Sequence, residues 1–471
     1  VNVDSVEASI PLDLEPERLA SRIGGWDRPA FLESGPGFGK AGRWSIFAAE
    51  PRLVVEATDR TVRVSREGGE ETAGEDPLGE LARLLSAYRL ANPADVPEAG
   101  APPFRGGMIG YLGYDLAPLL ERLPRRLGRD SRLPDLRFGL YDTWVEVDHQ
   151  TGRVEVRAAD LVGEGTSAVW GRLKSWRDRL RAPAPPLGRT ELDTPVHGEF
   201  SPEAYLNAVE RALEYIRAGD IFQVNLSQRF SARGSLVPLD LHLRLRSVSP
   251  APFSAFLAWD DLAIVSASPE WFHQTRGDRI VTRPIKGTRP RGRTIEEDQK
   301  LARELIASPK DRAELTMIVD LERNDLGRVC RYGSVQVSEP LVIESFAQVH
   351  HLVATVEGRL RAGVGPVDII EAMFPGGSIT GAPKIRAMEI IDELEPTRRS
   401  AYTGSFGYFS RGGTSGFNIM IRTLLVEGDR VSYQVGGGIV TDSDPAAEYA
   451  ETLHKGRGLR AALETGGDRW R

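Results

Sequence analysis

Hydrophobic and polar positions alternate early in the chain. Ala30–Ser34, Trp44–Ala48 and Arg52–Ala57 read as short strands between Gly/Pro turns, with an acidic, Gly-containing loop at 66–80. A helical stretch at about 77–90 and a Pro/Gly-rich connection at 91–107 follow, then strand-like runs around 108–113 and 138–148. Residues 151–157 alternate as another strand, and 164–181 has helical spacing.

The run Arg181-Ala182-Pro183-Ala184-Pro185-Pro186-Leu187-Gly188 cannot be helical and has the composition of a semi-rigid linker. It divides a sheet-forming region, 1–182, from a second region, 200–465, with 183–199 between them. Ser201-Pro202-Glu203 predicts an N-cap with Pro at the first helical position, and Gly219 predicts the helix end. Beyond it strands and helices mix without a βα repeat, which predicts an α+β fold.

Composition narrows the class. Of 471 residues, 41 % are hydrophobic and 27 % charged, as in soluble globular proteins. No apolar run approaches the roughly 20 residues of a membrane helix, so no membrane association is expected. The net charge of −7 argues against a general grip on nucleic acid. The first residues lack the basic start and apolar core of a secretory signal, so the expected location is cytoplasmic. The single cysteine, Cys330, excludes an internal disulfide and multi-Cys metal sites, and its apolar helical context predicts a buried structural thiol.

Two glycine motifs fail their context tests. Gly37-Phe38-Gly39-Lys40-Ala41-Gly42 has dinucleotide-loop spacing, but a strand follows where a helix is required, so a turn is expected. Gly376–Gly381 has P-loop spacing, yet Ala382 and Pro383 stand where Lys and Ser/Thr belong.

The chemistry-bearing residues fall in four places. Ser308-Pro309 opens a helix on which Asp311 and Glu314 are three apart; Asp311 fits a capping box, and Glu314 has no such local role. Glu448 and Glu451 are three apart on the helix that Asp444-Pro445 caps, with Lys455 further along the same face. A solvated salt-bridged stripe explains that spacing, and so does a hard cation such as Mg²⁺ held by oxygen ligands from two helices. Gly436-Gly437-Gly438 lets backbone approach a ligand, Arg422 at an expected strand end suits a carboxylate, and Tyr402 offers a hydroxyl.

The fourth place is Ser266–Phe272 with Ile280–Thr288. A hairpin turning at Arg276-Gly277-Asp278 sets Glu270 about opposite Pro284 with Lys286 on the diagonal. A salt bridge is one outcome; a nucleophilic lysine is the other. A free amine is only about one part in a thousand neutral near neutral pH, so that role requires desolvation or neighbouring cations.

Together these residues resemble the chorismate-utilising enzymes, a family that includes aminodeoxychorismate synthase and anthranilate synthase component I, and the first of these most closely. The resemblance rests on Gly219–Phe230 (GDIFQVNLSQRF), Pro284–Thr288 (PIKGT), Asp320–Gly327 (DLERNDLG), Phe374–Lys384 (FPGGSITGAPK) and Gly436–Ile439 (GGGI). It implies two packed, mostly antiparallel sheets with helices outside, the two halves of the chain sharing strands, and makes 200–465 the chorismate-binding region.

By this resemblance Glu314 and Glu451 are Mg²⁺ ligands supported by Glu448 and Asp311. The ring carboxylate of chorismate is held by the metal, by backbone near Gly287, and by Ser378 and Lys455. Tyr402, Arg422 and the amides of Gly437 and Gly438 hold the enolpyruvyl carboxylate, while Thr288 and His351 line the ring. His350 and His351 alternate, so only one faces the site.

Relatives that use water as nucleophile place a lysine where Gln223 stands, and anthranilate synthases usually place Ala at Lys286. The resemblance therefore implies amination at C4, with Glu270 protonating the leaving hydroxyl and Lys286 forming a covalent adduct. The chain has no glutaminase-type cysteine elbow, which implies ammonia from a separate glutamine amidotransferase subunit. The product, 4-amino-4-deoxychorismate, would serve 4-aminobenzoate and folate formation after a separate lyase. Phe31-Leu32-Glu33-Ser34 resembles the family's tryptophan pocket. Two rival readings are anthranilate synthase component I and a non-catalytic subunit that binds chorismate or tryptophan.

Overall fold

A computed structural model describes residues 7–66, 69–90, 96, 98, 100–346 and 349–464. Among the described residues two sheets, of 13 and 12 strands, account for nearly all the extended chain. Their strand pairings among the described residues are antiparallel, and each sheet takes strands from both sides of the Pro-rich run. In the first, Ala30–Glu33 pairs with Phe253–Trp259, Phe31 opposite Phe256. In the second, Gly107–Leu112 pairs with Ser405–Ser410, Tyr111 opposite Phe406.

Strands buried on both faces carry apolar runs, as in Leu262–Val265 of the strand Leu262–Ser268, because one face meets the other sheet and the other meets helices. Between the sheets pack Trp144, Trp259, Tyr111, Phe406 and Ile264. The helices Leu19–Ile23, Thr166–Arg181, Pro238–Val248 and Pro445–Glu464 cover the outer face of the first sheet, and Pro77–Ala87, Pro309–Val329 and Pro366–Met373 that of the second. The α+β expectation of two packed antiparallel sheets with helices outside is what the chain forms.

Local expectations hold where turn chemistry decides. Ser201 Oγ caps Pro202–Ala218 by accepting from Ala204 N at 3.1 Å, and Gly219 ends it at φ 82°. Residues 36–42 form short 3₁₀ turns broken at Phe38 and Gly39, where Gly39 takes φ 55°, between two strands and with no helix after them as a nucleotide loop requires. Cys330 ends the helix Pro309–Val329, 2 % exposed, and burial raises its thiol to about 11.

Three expectations are corrected. Within the supposed loop at 66–80, Gly69–Gly74 forms a strand against Thr61–Arg66; its sequence, polar on both faces, suits a solvated edge and carries no alternation. The run 138–148 is two strands, Leu136–Tyr141 and Thr143–Asp148. Much of the 91–107 connection lies outside the described residues. Arg422 does not end a strand: it precedes Thr423–Glu427 at φ 52°, in the left-handed region.

Candidate active site

The hairpin folds as expected, Trp271 pairing with Arg283 across the turn. The chain then continues as Ile285–Pro290 against Val349–Arg359, with a register shift between Lys286 and Thr288. Gly287 makes that shift possible: it sits at φ 74°, and a Cβ there would stand 2.8 Å from Asp311 Oδ1. Lys286 Nζ reaches the Ser378 carbonyl at 3.3 Å, and Ile285 N donates to Glu270 Oε1 at 3.4 Å.

Burial lowers the Lys286 ammonium from its ordinary range, against the opposing pull of Glu314, Glu270 and Glu451; Lys455 assists burial. Burial raises the Glu270 carboxyl, against the Ser378 hydroxyl and Lys286. Desolvation thus moves the amine toward its neutral form and the carboxyl toward its acid form. These are the states a nucleophile and a proton donor need.

The histidines divide as strand alternation requires. His350 turns away from the site to Ser345 Oγ at 2.7 Å and Asp298 Oδ1 at 3.0 Å. His351 Nδ1 meets Thr288 Oγ1 at 2.9 Å, its Nε2 is buried without a partner, and burial with the charge of Arg422 holds the ring down at about 3.

Acidic residues approach from two helices. A Cβ on Gly437 would stand 3.0 Å from Glu448 Oε2, 3.7 Å from Glu451 Oε1 and 3.9 Å from Lys455 Nζ, so the glycine strand floors this corner. Lys455 Nζ bonds Glu451 at 2.7 Å and the Gly436 carbonyl at 3.0 Å. Ser443 Oγ donates to Glu448 Oε1 at 2.6 Å. Burial raises Glu314, aided by Asp311 and Glu451, and burial raises Glu448, aided by Glu451. For Glu451 burial pushes upward, but Lys455 prevails and lowers it. Asp311 is not the second half of a capping box: Ser308 Oγ accepts from Asp311 N, while the Asp311 carboxylate pairs with Arg289 at 3.0 Å. Among the described residues no group of three or more His, Cys, Asp or Glu is placed to hold an ion unaided. The donor set fits a hard cation that keeps waters and takes substrate oxygens, because like charges from two helices converge on one corner.

Arg422 is enclosed, burial lowers its pKa, and among the described residues no carboxylate pairs with it. Tyr402 is buried beside Arg399, whose guanidinium lies 5.5 Å from its ring centre. Both polar atoms of the Gln223 side chain, together with Asn225 Oδ1, are buried without partners. A Cβ on Gly438 would stand 2.8 Å from Gln223 Nε2 and 3.6 Å from Lys286 Nζ, which places the orphaned amide beside the lysine. Buried polar atoms are normally hydrogen-bonded, so these leave donors and acceptors free beside Lys286 for water or a polar ligand.

Sequence reasoning gave no role to Asn225, nor to the buried Glu322, Asp325 and Lys384. The motifs Gly219–Phe230, Asp320–Gly327 and Phe374–Lys384 contain all four, and nothing in their spacing separates these residues from surface ones. Glu33 and Ser34 lie outside this constellation. Glu33 bonds His242 at 2.8 Å and Arg246 at 2.7 Å, and Ser34 N donates to Ser45 Oγ at 2.9 Å. A groove of about 590 Å³ between Pro77–Ala87 and Pro366–Met373 also carries none of the site residues.

The two-sheet α+β body thus holds a buried arginine without a carboxylate partner among the described residues, a buried lysine and a buried carboxyl on neighbouring segments, and acids from two helices. The chain belongs to the chorismate binding enzyme family, whose model matches residues 41–461, and it is a chorismate-utilising enzyme. It is 43 % identical over 428 residues to anthranilate synthase component 1 of Thermus thermophilus, covering 90 % of each chain. It is 40 % identical over 430 residues to aminodeoxychorismate synthase component 1 of Bacillus subtilis, again covering 90 % of each. Its fold matches anthranilate synthase component I of Streptococcus pneumoniae with a TM-score of 0.79 at 34 % identity, over 91 % of this chain and 93 % of that one. The isochorismate synthase MenF of Escherichia coli shares the fold at 18 % identity, with a TM-score of 0.74 over 98 % and 94 %.

Proposed function

We propose that the protein aminates chorismate at C4, giving 4-amino-4-deoxychorismate, with ammonia released by a separate glutamine amidotransferase subunit. The observation that carries this reading is Lys286, an enclosed amine 3.3 Å from the Ser378 carbonyl and flanked by Glu270, whose carboxyl burial keeps toward the acid form.

Arg422, with no carboxylate partner among the described residues, receives the enolpyruvyl carboxylate together with Tyr402 and the Gly437 and Gly438 amides. Thr288 and His351 line the ring, and Gly287, Ser378 and Lys455 receive the ring carboxylate. Glu314 and Glu451 would hold Mg²⁺, with Glu448 and Asp311 supporting it. When bound, the cation neutralises the ring carboxylate. Glu270 protonates the C4 hydroxyl, which leaves as water, as the Lys286 amine forms a bond to C2. Ammonia then bonds C4, the C2–N bond breaks, and the lysine amine is released. The enolpyruvyl group stays, so 4-aminobenzoate for folate requires a further lyase.

The rival C2 reading has its own support in the 43 % identity to the Thermus relative named anthranilate synthase component 1. Product identity from chorismate, ammonium and Mg²⁺ with this chain alone decides between them. Aminodeoxychorismate is expected; fluorescent 2-aminobenzoate with released pyruvate would overturn the reading. The absence of any turnover would favour a non-catalytic subunit.

A further inference from the structure

Beside Tyr402 lie Arg399 and Glu395, 2 % and 3 % exposed. Their contact is bidentate, Arg399 Nε to Glu395 Oε2 at 2.9 Å and Nη2 to Oε1 at 2.7 Å. Three N–H groups remain on the guanidinium, and each finds an acceptor: the Asn225 carbonyl at 2.8 Å, the Ile379 carbonyl at 2.9 Å and Thr403 Oγ1 at 3.3 Å. A guanidinium has five donors, so none is left over. Arg399 therefore differs from Arg422: it cannot take a substrate carboxylate without releasing a protein partner.

The partners of Arg399 fall into two groups. Glu395, Asn225 and Ile379 belong to the framework. Glu395 accepts from Ser227 N and Oγ, both at 2.8 Å, Asn225 lies in the strand Gln223–Ser235 opposite Gly438, and Ile379 follows Ser378, whose carbonyl meets Lys286 Nζ. The second group carries Tyr402. The Arg399 carbonyl accepts from Tyr402 N at 2.9 Å, and Thr403 Oγ1 donates to the Tyr402 carbonyl at 2.6 Å. The guanidinium carbon stands 5.5 Å from the centre of the Tyr402 ring and 4.9 Å from that of Tyr114. The turn that presents Tyr402 needs such holding, because Ser400 and Thr403 take φ of 52° and 59°, where non-glycine residues are strained.

We propose that Arg399 is a positioning residue that acts on chorismate only through Tyr402: anchored to Glu395, Asn225 and Ile379, it fixes the ring and turn of Tyr402 and so the place of the hydroxyl that meets the enolpyruvyl carboxylate. This rests on the reading of Tyr402 as a ligand of that carboxylate. Glu395 answers the charge of the guanidinium, so what Arg399 contributes to binding is geometry. Lysine cannot stand in for it, with three donors on a flexible stem and no fork.

The test is a double-mutant cycle on the dissociation constant of chorismate, measured by titration calorimetry in Mg²⁺ without ammonium, for the wild type, Arg399→Lys, Tyr402→Phe and the double variant. Arg399→Lys and Tyr402→Phe should each weaken binding about tenfold. The double variant should bind within about twofold of Tyr402→Phe alone, because the first change acts through the hydroxyl that the second removes. Thr403→Val is the second variant should Arg399→Lys not fold: it is nearly isosteric and cuts the bond between the guanidinium and the Tyr402 turn. It should weaken binding about threefold on its own and leave the affinity of Tyr402→Phe unchanged. A role in stability alone would lower the Tm of Arg399→Lys and Thr403→Val and leave both dissociation constants at the wild-type value. That result overturns the proposal, as does a double variant in which the two losses multiply. Wild-type affinity in Tyr402→Phe itself would instead remove Tyr402 from the carboxylate grip and the proposal with it. Binding is read before any nitrogen is added, so none of these outcomes depends on whether amination falls at C4 or C2.

Discussion

Arg422 is held at φ 52°, a backbone state that costs a non-glycine residue about 1–3 kcal/mol. The strain buys an enclosed guanidinium with no carboxylate partner among the described residues. Arg422→Gln should therefore lower kcat/KM for chorismate by about 10–100-fold, the worth of a charged hydrogen bond, and steady-state kinetics would show it. Lys286→Ala should abolish or strongly slow C4 amination, read by product chromatography; an unchanged rate of the same product would remove Lys286 from the mechanism. Glu451→Gln should raise the half-saturating Mg²⁺ concentration at least about tenfold, and an unaltered metal titration would sink the ligand assignment. Lys286, Glu270 and the glycine strand were legible because unusual residues stood in extended runs. Glu322 was not, since its Asp-Leu-Glu-Arg-Asn-Asp setting reads as an ordinary solvated face until helix packing turns it inward. Arg422 was misread because a left-handed residue leaves no mark in the periodicity.

At the scale of elements, strand Ala30–Glu33 is tied to helix Pro238–Val248 through Glu33, His242 and Arg246. Burial alone would raise the Glu33 carboxyl, but the bonds and charges of His242 and Arg246 prevail and hold it at about 2, below the 4.5 of an unstructured glutamate. Its contribution to stability is therefore full above the unfolded value and is lost as pH falls from about 4.5 toward about 2. Glu33→Gln should cost about 3–5 kcal/mol at neutral pH, measured by denaturant unfolding, and should flatten the acid dependence over that window. Helix starts and tight turns were readable because capping and turn residues act locally. Strand partners were not, because Phe31 finds Phe256 only through the tertiary fold.

The whole molecule is two sheets that neither half of the chain completes alone. The run at 183–188 is exposed, yet strands from both sides of it lie paired in each sheet. A protease site placed there should cut the chain without separating it: the fragments should co-elute in size-exclusion chromatography and keep activity. Fragments that part would contradict the shared-sheet architecture. The same sharing sets a clock on synthesis. Strand Gly107–Leu112 is made long before Ser405–Ser410, its neighbour. At ribosomal speeds the roughly 300 intervening residues take about 15–60 s, during which hydrophobic strand edges wait uncovered on the nascent chain. A protein with this wiring is most vulnerable to aggregation during its own translation, and its yield should follow elongation rate and chaperone supply more closely than the stability of the finished fold.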